Sequence, residues 1–329
     1  MDKNQQNTRL PADWICRLEG VPLMEKRRIG NSDLYVSKIG LGCMSLGTDS
    51  AKGEHIIRLA LDSGINYFDT ADLYDKGENE RIVGRALKDV RDKVIIATKV
   101  GNKWNEDGNG WSWDPSKEHI MEGVKESLRR LETDYIDLYQ LHGGTIEDNA
   151  EETIEAFEEL VKGGYIRHYG ISSIRPNVIK RFAEKAPAMV SNMMQYSILD
   201  RRPEELMPLL EQHQASIIAR GPVAKGLLTD RLLDKASSTV KAQGYLYYSY
   251  EELEKVLYEL KNLFPDRSVN EVALQYLLSH EAVAACIPGA SSAEQLLENI
   301  RAAESRPLNE SEIRGIQAIS KAAVYEEHR

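Results

Sequence analysis

The sequence predicts an α/β protein folded as a single (β/α)8 TIM barrel, and three observations carry that expectation. Short apolar, β-branched runs alternate with longer helical patterns eight times between Lys26 and Ala303. The hydrophobic period switches between 2 and 3.6 at each alternation. No Pro-, Gly- or Ser-rich linker divides the 329 residues, and a barrel of this kind routinely occupies more than about 200 residues as one domain. A doubly wound open sheet is the alternative arrangement of the same alternation.

The elements follow in chain order. Residues 1–23 have neither the basic n-region nor the apolar run of a signal peptide. Leu10, Trp14, Ile15 and Leu18 fall on one face of a short helix, and the stretch is expected to be a loosely ordered extension, leaving 24–329 for the barrel. Val36–Leu41 reads as the first strand, and Glu54–Asp62 as a helix closed by Gly64. Ile65–Phe68 is the next strand, Glu78–Lys88 a helix, and Val94–Thr98 an apolar buried strand. Asp114-Pro115 opens a helix that puts Ile120, Val124, Leu128 and Leu131 on one face. After the strand Tyr135–Leu141, Asn149 and Glu152 resemble a capping box, and Gly163-Gly164 ends that helix before the strand Tyr165–Ile171. A helix from about Val178, the strand Met189–Met194, the helix Pro203–His213 and the strand Ser216–Ala219 continue the pattern. Gly221–Tyr250 reads as irregular; helices Glu252–Leu263 and Val269–Ser279, the strand Val283–Ile287 and a helix from Ser291-Ser292 to Ala303 complete it.

Composition narrows the function. With 42 Lys+Arg against 52 Asp+Glu the net charge is −10, which disfavours nucleic acid and anionic membrane surfaces as partners while leaving room for a local basic pocket. No apolar run approaches the ~20 residues of a membrane span. Cys16, Cys43 and Cys286 are scattered and odd in number, so neither a disulfide framework nor a metal site is expected, and a cytoplasmic setting is.

Barrel active sites are built at the C-terminal strand ends. Those ends read Asp69, Lys99, His142, Ser172, Gln195, Arg220 and Gly289, polar residues that repeatedly follow apolar strands. Tyr74 follows Asp69 on the same loop. Taken singly, each has an ordinary explanation: a helix cap, a packed ring, a solvated strand end, a core histidine. Together, Asp69, Tyr74, Lys99 and His142 form apparatus for protonating an oxygen on which charge develops. Tyrosine is a poor acid, with a reference pKa of about 10. A neighbouring ammonium stabilises a phenolate, a carboxylate holds the ammonium, and an imidazole orients a carbonyl.

At this point the chain resembles the aldo-keto reductase superfamily. The matching phrases are Gly40-Leu41-Gly42, Phe68-Asp69-Thr70-Ala71 with Tyr74, Asn79-Glu80, Ile96-Ala97-Thr98-Lys99 and Leu138-Tyr139-Gln140-Leu141-His142. They continue with Gly164 to Ser172, Gly226-Leu227-Leu228 and Ile287-Pro288-Gly289, in order over roughly Lys26 to Ala303. The resemblance implies a catalytic tetrad of Asp69, Tyr74, Lys99 and His142, with Tyr74 as general acid and no metal. It implies NADPH as cofactor, with NADH the alternative, and a small-molecule aldehyde or ketone as substrate.

The same resemblance nominates the cofactor contacts. Gly42 and Met44 line the mouth beside Asp69, and Ser172-Ser173 stand where the family holds the carboxamide with Ser-Asn. Gln195 serves from a shifted register, and Arg220 replaces the usual stacking aromatic, followed by Gly221 and Pro222 and then by Gly226 and Leu228. Gly289, Ser291, Ser292, Gln295, Glu298 and Asn299 correspond to the adenosine clamp, at a helix N-terminus suited to phosphate. That segment lacks the Lys or Arg with which many NADPH-preferring members pair the 2′-phosphate. The phrase Gly40 to Ser45 also resembles a dinucleotide fingerprint, but Ser45 takes the place of its third glycine.

Trp104, Trp111 and Trp113, and Tyr245, Tyr247, Tyr248 and Tyr250, sit on two loops that either wall an apolar pocket or pack on each other. A cofactor-bound regulatory or sensor subunit is the alternative function; the intact tetrad favours the enzyme. Neither the physiological substrate nor the oligomeric state is written in these motifs.

Overall fold

The computed structural model describes residues 24–105 and 109–329; the helical face expected at Leu10 to Leu18 lies outside them. The described chain opens with an antiparallel hairpin, β1 (Lys26–Arg28) and β2 (Tyr35–Ser37). The first barrel strand is β3 (Leu41–Gly42), followed by β4 (Tyr67–Asp69) and β5 (Ile95–Val100). A second hairpin, β6 (Asn102–Trp104) and β7 (Trp111–Trp113), stands on the loop after β5. The barrel continues through β8 (Ile136–Leu141), β9 (Ile166–Ile171), β10 (Met189–Gln195), β11 (Ser216–Arg220) and β12 (Val283–Ile287).

The eight barrel strands pair in chain order and in parallel from β3 to β12. The sheet then closes on itself: parallel bridges join Ile39 to Cys286 and Gly42 to Gly289. The Gly40 N–H donates to Cys286 O at 2.8 Å, and the Cys286 N–H to Lys38 O at 3.0 Å. Closure excludes the open doubly wound sheet and with it the fingerprint reading of Gly40 to Ser45.

The outer helices are α1 (Ser50–Asp62), α2 (Glu78–Leu87), α3 (Lys117–Leu131), α4 (Ala150–Lys162), α5 (Pro176–Lys185), α6 (Met207–Gln212), α7 (Ser238–Gln243), α8 (Tyr250–Leu263), α9 (Val269–Leu278), α10 (Ala293–Glu304) and α11 (Glu310–Ile319). Their apolar stripes, such as Ile120, Val124 and Leu131 of α3, pack on the outer faces of the strands. The barrel interior is a separate cluster in which Tyr67, Ala97, Leu138, Met193 and Ile218 meet Ile29, Leu34 and Val36 of the first hairpin. That hairpin therefore plugs the N-terminal end, with each buried aliphatic side chain contributing roughly 1.5–3 kcal/mol.

Four differences from the sequence reading have physical causes. The expected strand Val36–Leu41 is two strands, because Tyr35–Ser37 pairs backward with Lys26–Arg28 across the Gly30-to-Asp33 turn before the chain enters the barrel. The helix after Asp114-Pro115 begins at Lys117, since the Ser116 side chain accepts the His119 N–H and is the N-cap. The interval Gly221–Tyr250 contains α7, capped by Ser237. A C-terminal helix, α11, starts on a capping box of Asn309 and Glu312.

Candidate active site

All three residues of β4 are buried, and the strand delivers Asp69 to its C-terminal end. In β5, alternation points Ala97 and Lys99 inward and Thr98 outward, where Thr98 Oγ1 donates to Glu80 of α2 at 2.6 Å. His142 directly follows β8; its N–H donates to Val100 O at 2.7 Å, and the Asn102 amide donates to its carbonyl at 3.2 Å. Tyr74 heads a short 3-10 turn just after β4.

These elements bring the four side chains together. Lys99 Nζ donates to Asp69 Oδ1 at 2.5 Å and to Thr70 O at 2.6 Å, and lies 3.4 Å from the Tyr74 hydroxyl. The Tyr74 and His142 rings meet edge to face, with centroids 6.0 Å apart. Lys99 and Asp69 are almost entirely shielded, at 1% and 3% side-chain exposure, so their pairing and not solvent sets their charge states. Burial pushes the Asp69 carboxyl up against the pull of Lys99. Burial also pulls the Lys99 ammonium down, but Asp69 and the Tyr74 hydroxyl outweigh it and the net shift on Lys99 is upward. Burial, assisted by Lys99 and Arg220, holds His142 at about 3, so its imidazole is neutral at ordinary pH.

Gln140, fully buried on β8, donates to Asp69 Oδ2 at 3.3 Å. It lies within the phrase that ends in His142, yet the sequence reading gave it no role. Its inward position two residues before His142 was the available signal.

A cavity of about 1020 Å³ opens above this group. Asp69, Tyr74, Lys99 and His142 line it, as do Gly42, Met44, Ser172, Ser173, Gln195, Arg220, Gly221, Pro222, Gly226, Gly289, Ser291, Gln295, Glu298 and Asn299. Leu228 and Ser292 are not among its lining residues. Leu228 is fully buried in the outer core, and the Ser292 side chain caps α10 by accepting the Gln295 N–H. Gln195 is held at both ends of its amide, donating to Asp200 at 3.1 Å and accepting from Arg220 at 3.2 Å. Ser173 is bracketed by the Asn192 amide, which accepts its N–H at 3.1 Å and donates to its carbonyl at 3.3 Å.

The cavity fits an elongated anionic cofactor. At the barrel seam a Cβ on Gly42 would lie 3.0 Å from Ile287 O, so only glycine lets β3 close against the end of β12 beside the cavity. Lys225 and Arg231 also line it, together with Asn270 and Thr229. Neither cation was singled out from the sequence, because both lie in the interval read as irregular, with no helix end to mark them. Trp111, Trp113 and Tyr245 line the cavity too; Trp104, Tyr247, Tyr248 and Tyr250 do not. The aromatic loops thus do both jobs: Tyr248 is buried and its hydroxyl accepts the Lys321 N–H at 2.6 Å.

Residues 38–321 match the model of the aldo/keto reductase family. The uncharacterized oxidoreductase YqkF of Bacillus subtilis is 59% identical over 306 residues, 93% of this chain and 100% of that protein. The NADH-specific methylglyoxal reductase of Escherichia coli is 29% identical over 305 residues, 85% of this chain and 93% of that protein. Among solved structures, the holo form of the aldo-keto reductase AKR11C1 from Bacillus halodurans superposes with a TM-score of 0.88 at 56% identity, covering 93% of this chain and 99% of that one.

Proposed function

The chain belongs to the aldo/keto reductase family and is an NAD(P)H-dependent oxidoreductase; on that premise we propose that it reduces an aldehyde or ketone to the alcohol with NADPH, Tyr74 delivering the proton. The observation that carries this reading is the buried Asp69–Lys99 pair set against the Tyr74 hydroxyl at the floor of the cavity. When bound, a reduced nicotinamide supplies the hydride to the carbonyl carbon. Tyr74 gives its phenolic proton to the carbonyl oxygen as negative charge develops there, and the phenolate left behind is stabilised by the Lys99 ammonium. Asp69 holds that ammonium in place, and the neutral imidazole of His142 offers an N–H to the same oxygen. Gln140 restrains the second oxygen of Asp69, so the carboxylate cannot rotate away from Lys99.

For the cofactor, Gly42, Ser172, Ser173, Gln195 and Arg220 would hold the nicotinamide end, and Ser291, Gln295, Glu298 and Asn299 the adenosine end. The preference for NADPH is supported by Lys225 and Arg231, which line the same cavity as Ser291 and Gln295 and can pair with a 2′-phosphate. NADH is the second reading, favoured by the Escherichia coli relative named for it. Residues 24–329 would act as one barrel unit with 1–23 as an extension. Cytoplasmic residence is supported by Cys43 and Cys286, both buried and unpaired; among the described residues no helix is long and apolar enough to cross a membrane.

The test is NADPH oxidation with 4-nitrobenzaldehyde in wild type and Tyr74→Phe. Turnover is expected to fall by roughly 10²–10⁴-fold, the usual share of a general acid, with cofactor affinity retained. Equal rates would remove Tyr74 from the chemistry. Fluorescence titration with each nucleotide should give the tighter Kd for NADPH; a large preference for NADH would overturn that assignment.

A further inference from the structure

The turn that begins at Tyr74 has an unusual backbone. The three residues that follow all lie in the left-handed region, Asp75 at φ 49°, Lys76 at φ 55° and Gly77 at φ 85°. Two of them carry a Cβ, so the conformation persists only if its surroundings impose it. Arg130 of α3 lies directly beneath. A Cβ on Gly77 would stand 2.6 Å from Arg130 Cδ and 2.8 Å from its Nε, so the turn rests on the guanidinium stem.

Arg130 is itself fixed from the other side. Its Nε donates to Glu80 Oε2 at 2.6 Å, and Glu80, on the first turn of α2, has no solvent exposure. The other oxygen of Glu80 accepts the Thr98 hydroxyl at 2.6 Å. Thr98 immediately precedes Lys99 on β5. Two hydrogen bonds, Thr98 to Glu80 and Arg130 to Glu80, together with the packing of Arg130 against Gly77, therefore join the strand that carries Lys99 to the turn that starts at Tyr74. None of the three residues lines the cavity.

We infer that Arg130, Glu80 and Thr98 are positioning residues that set the approach of the Tyr74 hydroxyl to Lys99. The inference rests on Tyr74 being the proton donor. It explains why a fully buried glutamate is tied to an arginine that does not line the cavity. Thr98 anchors the strand, Glu80 transmits its position, and Arg130 supports the turn. A displacement of about 1 Å in a reacting group is enough to lower turnover by about 10²-fold. Asp72, which both members of the Glu80–Arg130 pair influence, and Glu126, which lies 3.7 Å from Arg130, also face it, so a change in its charge is felt beyond Tyr74.

The experiment compares full-length Thr98→Val, Arg130→Met and Arg130→Lys with wild type and Tyr74→Phe. Each is assayed for kcat and KM with 4-nitrobenzaldehyde, for Kd of NADPH, for the pH profile of kcat, and for thermal stability. Thr98→Val is near-isosteric and is the variant least able to disturb folding. Thr98→Val and Arg130→Met are expected to lose 10- to 100-fold in kcat, with KM and Kd within threefold of wild type, a displaced pH profile, and partial recovery in Arg130→Lys. Added to Tyr74→Phe, Arg130→Met should lower the residual rate no further. If Tyr74→Phe is impaired while Thr98→Val keeps wild-type kcat and pH profile, the positioning role is refuted and the proton-donor role stands. If Tyr74→Phe turns over like wild type, the proton-donor role fails and the positioning role falls with it.

Discussion

Replacing Asp69 with Asn leaves the Lys99 ammonium buried without its counter-charge. In the wild type, Lys99 Nζ has three partners: Asp69 Oδ1 at 2.5 Å, Thr70 O at 2.6 Å and the Tyr74 hydroxyl at 3.4 Å. Only the first is an anion, and the lysine side chain is 1% exposed. Breaking a buried pair from one side costs about 3–5 kcal/mol, because the remaining charge has neither water nor partner. With a denaturant slope of about 3 kcal/mol per M, Asp69→Asn should unfold at roughly 1–2 M lower urea at pH 7. The pH dependence gives the sharper test. With its anion, the Lys99 pKa is raised in the fold, so its contribution to stability is fully present below the unfolded lysine value and is lost only as pH rises through the higher folded one. In Asp69→Asn the anion is gone, burial outweighs the remaining Tyr74 and Thr70 contacts on Lys99, and its folded pKa drops below the unfolded value. The variant then binds fewer protons folded than unfolded in that window, and its stability increases as pH rises through it. The deficit against wild type should shrink between pH 7 and 10. Asp69→Asn/Lys99→Met should recover much of the loss, because no lone charge remains. Urea unfolding followed by tryptophan fluorescence at the two pH values measures this. A deficit below about 1 kcal/mol, or one that does not change with pH, would refute a buried ion pair.

Three further outcomes are expected. Asp72 is pushed up to about 8 by burial and by Glu80, and its Oδ1 is buried without a hydrogen bond. The fold therefore holds a proton there that the unfolded chain releases, so stability should fall by up to about 1.4 kcal/mol per pH unit from pH 4 to 8; Asp72→Asn should flatten that slope, and an unchanged urea profile would count against it. His142, held at about 3, should show no imidazole titration by NMR between pH 5 and 9; a midpoint near 6.5 would contradict its burial. Asp148 accepts the Trp113 indole N–H on both oxygens at 3.0 Å and the Thr145 hydroxyl at 2.8 Å, so Asp148→Ala should raise KM for bulky aromatic carbonyls several-fold while the Kd for NADPH stays constant. An equal rise for small aldehydes would argue against a role for Trp113 in the substrate wall.

What could be read from the sequence depended on range. Alternating apolar runs marked all eight barrel strands, because burial on both faces leaves a signal in each segment alone. The strand ends carrying Asp69, Lys99 and His142 followed from that periodicity. The bounds of the first strand are not legible in that pattern, because Val36 and Leu41 are both apolar and nothing local records that Tyr35–Ser37 pairs backward with Lys26–Arg28. The Gln140–Asp69 and Glu80–Arg130 contacts join residues 71 and 50 positions apart. Such contacts arise only when the barrel closes, so no short motif announces them. Leu228 and Ser292 mark a different limit: a family pattern nominates them for a ligand, and the fold puts the Leu228 side chain in the core and uses the Ser292 side chain to cap α10.

Charge shows most clearly why a whole-chain quantity can mislead about a site. A net charge of −10 suggests a poor receptor for a pyrophosphate. The residues lining the cavity reverse the sign: Lys99, Arg175, Arg220, Lys225 and Arg231 stand against Asp69 and Glu298, with His142 neutral. Lys99 and Asp69 cancel each other within 2.5 Å, which leaves four cations facing one carboxylate. The acidic excess lies on the outer helices, as in Glu151, Glu152 and Glu155 of α4, where water and salt screen it within about 10 Å. Inside a cavity walled by protein the screening is weaker, so the local excess of positive charge governs what binds. Global acidity therefore argues against extended polyanions, which must meet the whole surface, and says little about a dinucleotide that meets only this cavity.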